Sequence, residues 1–394
     1  DRDKQQLAWK QSLITKYGDD NFGRLFGGQR PSYDVSNQWW NQRMVDIKDQ
    51  VNVVPLYTFD QYYQQGTVLA THPYKCMACS TEFVDTLRDG LNPRCPTCYP
   101  LRQTNWKQQQ LFDWCQTLGV PVKFNDRSVI KPAELDVIFP DHKVAIEFTG
   151  LYWHSEFGSR QRCDKQYHAQ KTQKARDTGY QLIHVWEDQW DNQQDIVKSI
   201  IKHHLSLTPR VVYGRNTTCI SIDTKTYRQF CNDNHIQGAG VASIRYGLYA
   251  GNELVSVMSF VKSRYNKHYQ WEISRLCSKT HTSVIGGPSK LFASFIRDYS
   301  PQTIITYADL VHGTGEVYGR LGFGFERETS TKYFYVNIKE GCTRRYSREQ
   351  FMKHKLAEAL PDYDSTLSEK DNMTANGYSR IWDCGNAVWV WEGC

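Results

Sequence analysis

The sequence predicts a multidomain α/β protein: a four-cysteine metal module, an α/β core, and a C-terminal α+β domain. Three observations carry that prediction. The chain has 394 residues, more than one small core uses, and its length suggests two to four domains. Cys76-x2-Cys79 and Cys95-x2-Cys98 have metal-ligand spacing. Apolar strands alternate with helical stretches between 104 and 207, and from Ile220 strand-like runs dominate.

Composition sets limits without naming a function. Net charge is +6, which favours a polyanionic partner only weakly, because such partners are held by local patches rather than totals. The 24 Tyr and 12 Trp suit stacking on bases and suit cores equally well. No run of ~18 apolar residues occurs, so no membrane partner or span is expected. The polar N-terminus is unlike a secretory signal, which makes a reducing cytoplasm the expected compartment and free thiols the expected state of most of the 12 Cys.

In chain order, residues 1–70 read as a helical region, with Leu7, Trp9, Leu13 and Ile14 at helical spacing. Residues 71–101 form the zinc module. Each Cys pair sits in a short turn, so four thiolates can converge on Zn²⁺ and close its coordination, which makes the metal structural. The competing reading is two disulfides in an exported protein. His72 is taken as a bystander.

Residues 102–208 form the core. A helix over 104–118 is stopped by Gly119, and strands 134–139 and 143–149 are joined by Pro140-Asp141-His142-Lys143, which is turn chemistry. A polar helix runs from Asp164 to Thr178, a buried strand from Gln181 to Trp186, and a closing helix from about Asn192 to Leu207. Residues 209–342 carry strands at 241–249, 253–261, 268–276, 303–307 and 332–338, with a helix at Ser289–Arg297. Residues 343–394 read as an extension: a basic helix Ser347–Leu360, then the strand Ala387–Trp391.

The chemistry concentrates at 134–154. Glu134 and Asp136 alternate onto one strand face, Glu147 lies in the antiparallel neighbour, and His154 follows the Gly150 turn. Carboxylates suit a hard cation such as Mg²⁺, and an imidazole can handle the proton of an attacking water. That set points to phosphodiester hydrolysis. The alternative is a half-buried sheet with polar edges.

Asp136, the run Ile146-Glu-Phe-Thr-Gly-Leu-Tyr-Trp-His154 and the run Leu182-Ile-His-Val-Trp-Glu187 resemble the very-short-patch-repair (Vsr) endonuclease fold, and more closely the phage and intron homing endonucleases of the EDxHD group. The resemblance implies a restriction-endonuclease-like core in which Asp136 holds Mg²⁺ and His154 handles water. Two positions depart from it. Gln108 stands where the family has a helix Glu, and His168 and Lys171 stand near its last Asp. Glu134 or Glu147 could supply the missing carboxylate, and His168 or Lys171 could meet the phosphate. Thr149 replaces a histidine of the repair enzymes.

Lys16-Tyr17-Gly18 and the residues after it resemble the modular DNA-binding segments beside such nucleases, with Lys16, Tyr17, Arg24 and Arg30 as contacts. Lys353 and Lys355 are further candidates for DNA. Gly247–Phe260, Glu272–Cys277, Gly286–Leu291 and Tyr318–Phe323 resemble a GNAT-like acyltransferase fold, and Gly286-Gly287 before a helix could meet an anion. Cys342, His354, Cys384 and Cys394 are irregularly spaced and are expected to be unpaired.

The expectation is a site-specific, metal-dependent DNA endonuclease of homing type, phage-encoded and acting on double-stranded DNA in a bacterial cytoplasm, with a monomer slightly favoured. The alternatives are a non-catalytic DNA-binding regulator with a decayed nuclease site, and an acyltransferase fused to a DNA-targeting module.

Overall fold

A computed structural model describes residues 32–65, 70–87, 92–93, 95–98, 106–159 and 163–393. Lys16, Tyr17, Arg24, Arg30 and the expected first helix lie outside the described residues. The chain divides into two compact units, Asp1–Thr104 and Asn105–Cys394. No helix among the described residues is long and apolar enough to cross a membrane.

In the first unit, α1 (Tyr33–Val51) starts at Ser32, whose Oγ accepts the Val35 N–H, and stops at Asn52 in the left-handed region. Strand β1 (Val53–Pro55) pairs antiparallel with β2 (His72–Cys76), which pairs with β3 (Glu82–Asp85). Helix α2 (Phe59–Gln65) covers them. The core is aromatic: Tyr57, Phe59, Tyr62, Tyr74 and Phe83 pack with Cys76 and Cys95. Sulfurs therefore belong to this small core, as expected where apolar burial alone is insufficient.

The second unit begins with α3 (Trp106–Gln116), whose buried face is Leu111 and Cys115. A four-stranded sheet follows, ordered β4 (Lys123–Asp126), β5 (Leu135–Phe139), β6 (Val144–Thr149), β7 (Gln181–Trp186). Its first three strands are antiparallel and β6/β7 are parallel, joined through α4 (Tyr167–Asp177). Every residue of β6 is buried because both faces are covered. Leu111, Val137, Ile146, Val185 and Ile201 pack on one side, and Leu135, Ala145, Ala175 and Leu182 on the other. The expected closing helix is two, α5 (Glu187–Asn192) and α6 (Gln194–His204), broken at Gln193.

After β8 (Arg210–Tyr213), β9 (Thr218–Ser221) and α7 (Thr224–Asn234), the chain builds a larger sheet. It uses β10 (Ile244–Ala250), β11 (Glu253–Lys262), β12 (Trp271–Ser278), β14 (Thr303–Asp309), β15 (Gly324–Glu328) and β19 (Asn386–Glu392). The order is β15-β19-β14-β12-β11-β10-β9, antiparallel throughout except for β12/β14. Helix α8 (Gly287–Tyr299) follows β13 (Thr282–Ile285) and packs Leu291 and Phe295 on this sheet, and α9 (Glu316–Arg320) precedes β15. A third sheet, β17 (Arg345–Ser347), β16 (Tyr333–Asn337), β18 (Tyr378–Trp382), is capped by α10 (Leu356–Ala359) and α11 (Glu369–Ala375).

Two expectations for the C-terminus need correction. The segment 343–394 is not an appendage, because β19 lies inside the large sheet, paired with β14 and β15. The basic helix over 347–360 is instead 3₁₀ turns at Arg348–Phe351 and Lys353–Lys355 plus α10. Phe351, Leu356 and Leu360 all enter one core with Tyr335 and Met373. Intervals of five and four residues do not align on one helical face, so the chain kinks at Met352 to bury all three.

Candidate functional site

The parallel pairing of β6 with β7 sets Glu147 beside His184, and α4 brings His168, Lys171 and Thr172 over the same strands. Glu147 and Lys171 retain 3% and 9% of their surface, and the Lys171 Nζ donates to Glu147 Oε1. Asp136 Oδ2 accepts the Phe148 N–H at 2.7 Å. Burial, and then the Glu147 charge, pushes the Asp136 carboxyl well above its usual range. Burial would lower Lys171, but the Glu147 carboxylate outweighs it and keeps the ammonium charged. The Lys171–Glu147 ion pair therefore balances charge from within the fold, beside an Asp136 carboxyl whose charged form burial disfavours.

Glu134 turns outward to Arg127 at 2.8 Å, and Gln108 is half-buried on α3. Two buried oxygens, Glu147 Oε2 and Thr149 Oγ1, have no partner.

The histidines form a chain with a defined direction. His168 Nδ1 lies 2.6 Å from the Trp382 carbonyl, which only accepts, so Nδ1 carries the proton. His168 Nε2 then accepts from His154 Nδ1–H at 2.9 Å, leaving the lone pair of His154 on Nε2. Burial lowers His168 to about 4 and His154 well below its usual value, so both are neutral at pH 7. His184 Nε2 meets Thr172 Oγ1 at 2.7 Å, and its Nδ1 is unpartnered.

The fold brings together Asp136, Glu147, His154, His168 and Lys171, all picked out from sequence, and sets Glu134 apart. Sequence reading missed the supports. Arg380 and Trp382 Nε1 bind Glu156 in the loop after β6, and Arg345 binds Asp188 while stacking 4.4 Å from Trp186. These partners are more than 150 residues distant, and no local pattern announces them.

Cys76, Cys79, Cys95 and Cys98 place their sulfurs within 4.8 Å of one another, a set that could hold zinc. Thiolate donors suit Zn²⁺, and four of them close its tetrahedral coordination. Hydrogen bonding with Thr81 lowers Cys79 to about 6, which favours the ligating thiolate. His72 is buried against Tyr57, 4.4 Å between ring centres, and is not a ligand. Among the described residues no other His, Cys, Asp or Glu trio is as convergent, and Asp136, Glu134 and Glu147 are not. The same holds for Cys342, His354 and Cys384, and Cys394 lies outside the described residues.

A second polar cluster lies in the large sheet. The parallel strands β12 and β14 pair only at Trp271/Ile304, Glu272/Ile305 and Ile273/Thr306, then part. Around the parting lie Ser274, Arg275, Thr306, His235 and Tyr318. Arg275 Nε donates to the Gly238 carbonyl at 2.9 Å and Nη1 to that of Ser274 at 2.8 Å. The buried Ser274 Oγ has no partner. Burial pushes the Tyr318 phenol above its usual value, against the Thr306 hydroxyl and Arg275, and lowers His235 to about 3. At the start of α8, Gly286 has φ +75°, and Gly214 packs so closely that an added Cβ would lie 2.9 Å from the Gly286 carbonyl carbon. Lys290 Nζ donates to the carbonyls of Gly214 and Thr217. The start of α8 is thus closed by Gly214 at Gly287 and open at the exposed Gly286.

No family model matches the sequence, and no curated protein matches it. Solved structures do. An IAA acetyltransferase from Bacillus cereus matches 45% of this chain over 99% of its own length, at 11% identity and a TM-score of 0.25. A structure described as a streptothricin acetyltransferase from Bacillus anthracis, in complex with acetyl coenzyme A, matches with the same coverage at 9% identity and a TM-score of 0.25. The Bacillus subtilis N-acetyltransferase YlbP, in complex with coenzyme A, matches 45% of this chain over 97% of its own at 15% identity and a TM-score of 0.20.

The expectation of a DNA endonuclease, a phosphodiester hydrolase, is therefore corrected. The proteins found similar in structure are acetyltransferases. The site geometry agrees with the correction, because Lys171 supplies the positive charge beside Glu147 and the carboxylates do not converge on a common point. Nothing in the site supports magnesium catalysis.

Proposed function

We propose that this chain is an acyltransferase-type domain joined to a DNA-targeting scaffold that binds without cutting. The carrying observation is the parted β12/β14 pair, whose pairing ends at Ile273/Thr306 beside Ser274, Arg275 and Tyr318. A coenzyme A thioester would supply an activated acyl group there. The residues around the parting have matching chemistry. Tyr318, kept protonated by burial, can hold the proton that a departing thiolate takes up, and Ser274 Oγ is a free polar contact. Arg275, fixed on two carbonyls, keeps a positive charge nearby.

On this reading the four-stranded sheet is a Vsr-like scaffold whose carboxylates are engaged by Lys171 and Phe148 through one oxygen each, and the four-cysteine module and the exposed Lys353 and Lys355 contribute to placement on double-stranded DNA.

A second reading, a DNA-binding regulator with no chemistry in either sheet, is favoured by one observation: at the start of α8, Lys290 Nζ is taken up by the carbonyls of Gly214 and Thr217 and does not offer its charge to a diphosphate. Calorimetric titration with acetyl coenzyme A, followed by an assay for released coenzyme A thiol, separates the two. Saturable binding with thiol release lost in Tyr318→Phe supports acyl transfer. Duplex DNA binding by anisotropy with no affinity for the coenzyme would leave the regulator.

A further inference from the structure

One face of α4 opens onto a cavity of about 210 Å³ that reaches Thr172 and Cys384 and none of the histidines or carboxylates above. Ala169, Gln170 and Arg176 line it from the helix, Gln166 from its N-cap, Leu310 from the residue after β14 and Glu328 from β15. Three properties narrow its occupant. The first is size. It falls below the ~300–1,000 Å³ of drug-sized sites, so it takes one small ring system and not a whole nucleotide or coenzyme.

The second is charge. Arg176 Nη1 meets Glu328 Oε1 at 2.7 Å, so the cleft is balanced and does not select an anion. The third is hydrogen-bonding pattern. Gln166 and Gln170 stand one helical turn apart, and their side-chain amides make no hydrogen bond among the described residues. Each presents a carbonyl and an NH2 in one plane, the complement of a heterocycle edge that alternates donors and acceptors. Ala169 and Leu310 offer aliphatic surface to the faces of such a ring. Exposed Lys174 on the helix and exposed Lys165 just before its start have the charge to meet phosphates.

We propose that this cleft takes a single nucleobase, from an unpaired stretch of a DNA strand or from a free nucleoside, with its edge on Gln166 and Gln170 and its face on Leu310. The proposal rests on the reading of the chain as DNA-targeting, and the test separates the two. Full-length protein is titrated with 2-aminopurine deoxyriboside and with a single-stranded oligonucleotide carrying 2-aminopurine, following emission. Anisotropy of an end label reports oligonucleotide binding independently.

The expected result is a saturable emission change in both arms, weakened about tenfold by Gln166→Ala with Gln170→Ala, the loss expected for an amide–base contact. Ala169→Trp, which fills the cleft, should abolish it. Circular dichroism of the glutamine variants checks that the fold is intact, since both side chains are exposed. If the oligonucleotide binds but Ala169→Trp leaves the emission change intact, the cleft proposal is overturned while DNA targeting stands. If the nucleoside binds and the oligonucleotide does not, DNA targeting falls and the cleft stands. If neither binds, both fall.

Discussion

Two cations of the larger unit, Lys171 over the four-stranded sheet and Arg275 in the seven-stranded sheet, are satisfied differently, while the buried Glu272 of the larger sheet follows the first pattern, held by the Arg264 side chain. In the four-stranded sheet, Lys171 depends on a single side chain, Glu147, in surroundings almost without solvent. In the seven-stranded sheet, Arg275 is half-buried and bound by main-chain carbonyls of Gly238 and Ser274. A side-chain partner can be deleted, leaving its counterpart charged and dry. A carbonyl cannot be deleted, and an exposed one can turn to water. The first arrangement is therefore fragile to single substitutions, and the second tolerates them.

The largest expected effect comes from breaking the fragile pair. Glu147→Gln leaves the Lys171 ammonium without a counter-charge and should cost about 3–5 kcal/mol, while Glu147→Leu with Lys171→Met should recover most of it. Urea unfolding of the three proteins measures this. A single variant no worse than Arg275→Ala would remove the contrast between the two cations.

The next effect is in pH. Burial lowers His168 to about 4, so the unfolded chain binds the extra proton between about pH 6.5 and 4. Stability should thus be complete above pH 6.5 and fall as the pH drops towards 4, by up to about 3 kcal/mol for this residue. His154 and His184, lowered by burial and further by the nearby Lys171 charge, act in the same direction. His168→Gln can still donate to Trp382, and its unfolding midpoint should change less between pH 7 and 4. A variant profile parallel to the wild type would show that His168 is not among the titrating groups.

Smaller effects belong to the carbonyl-bound cation. Arg275→Ala should cost about 1–2 kcal/mol, the loss of hydrogen bonds whose acceptors can rehydrate. Smallest is Arg127→Ala, which removes a surface partner of Glu134 and should change stability by less than about 1 kcal/mol. A larger loss would mean that Glu134 belongs with the buried cluster after all.

Much of the fold was legible because local rules set it. The strands around Pro140, the stop at Gly119 with its φ of +72° and the apolar run Gln181–Trp186 follow from turn chemistry and hydrophobic patterning. The site was legible in membership and misread in chemistry. Asp136, Glu147, His154, His168 and Lys171 do meet, but the sequence did not show that Lys171 would pair with Glu147, because that contact joins a helix to a strand 24 residues away. Nor did it show that β19 would insert between β14 and β15, since strand pairing over long separations leaves no local periodicity.

By itself the sequence determined the four-cysteine module, whose ligand spacing is a local property, and the alternating order of strands and helices. Only the tertiary structure decided how the buried charges are balanced, which imidazole nitrogen carries the proton, and where a glutamine-lined cleft opens. Those depend on distances between segments far apart in the chain, and electrostatics in a dry interior is set by such distances and not by residue order.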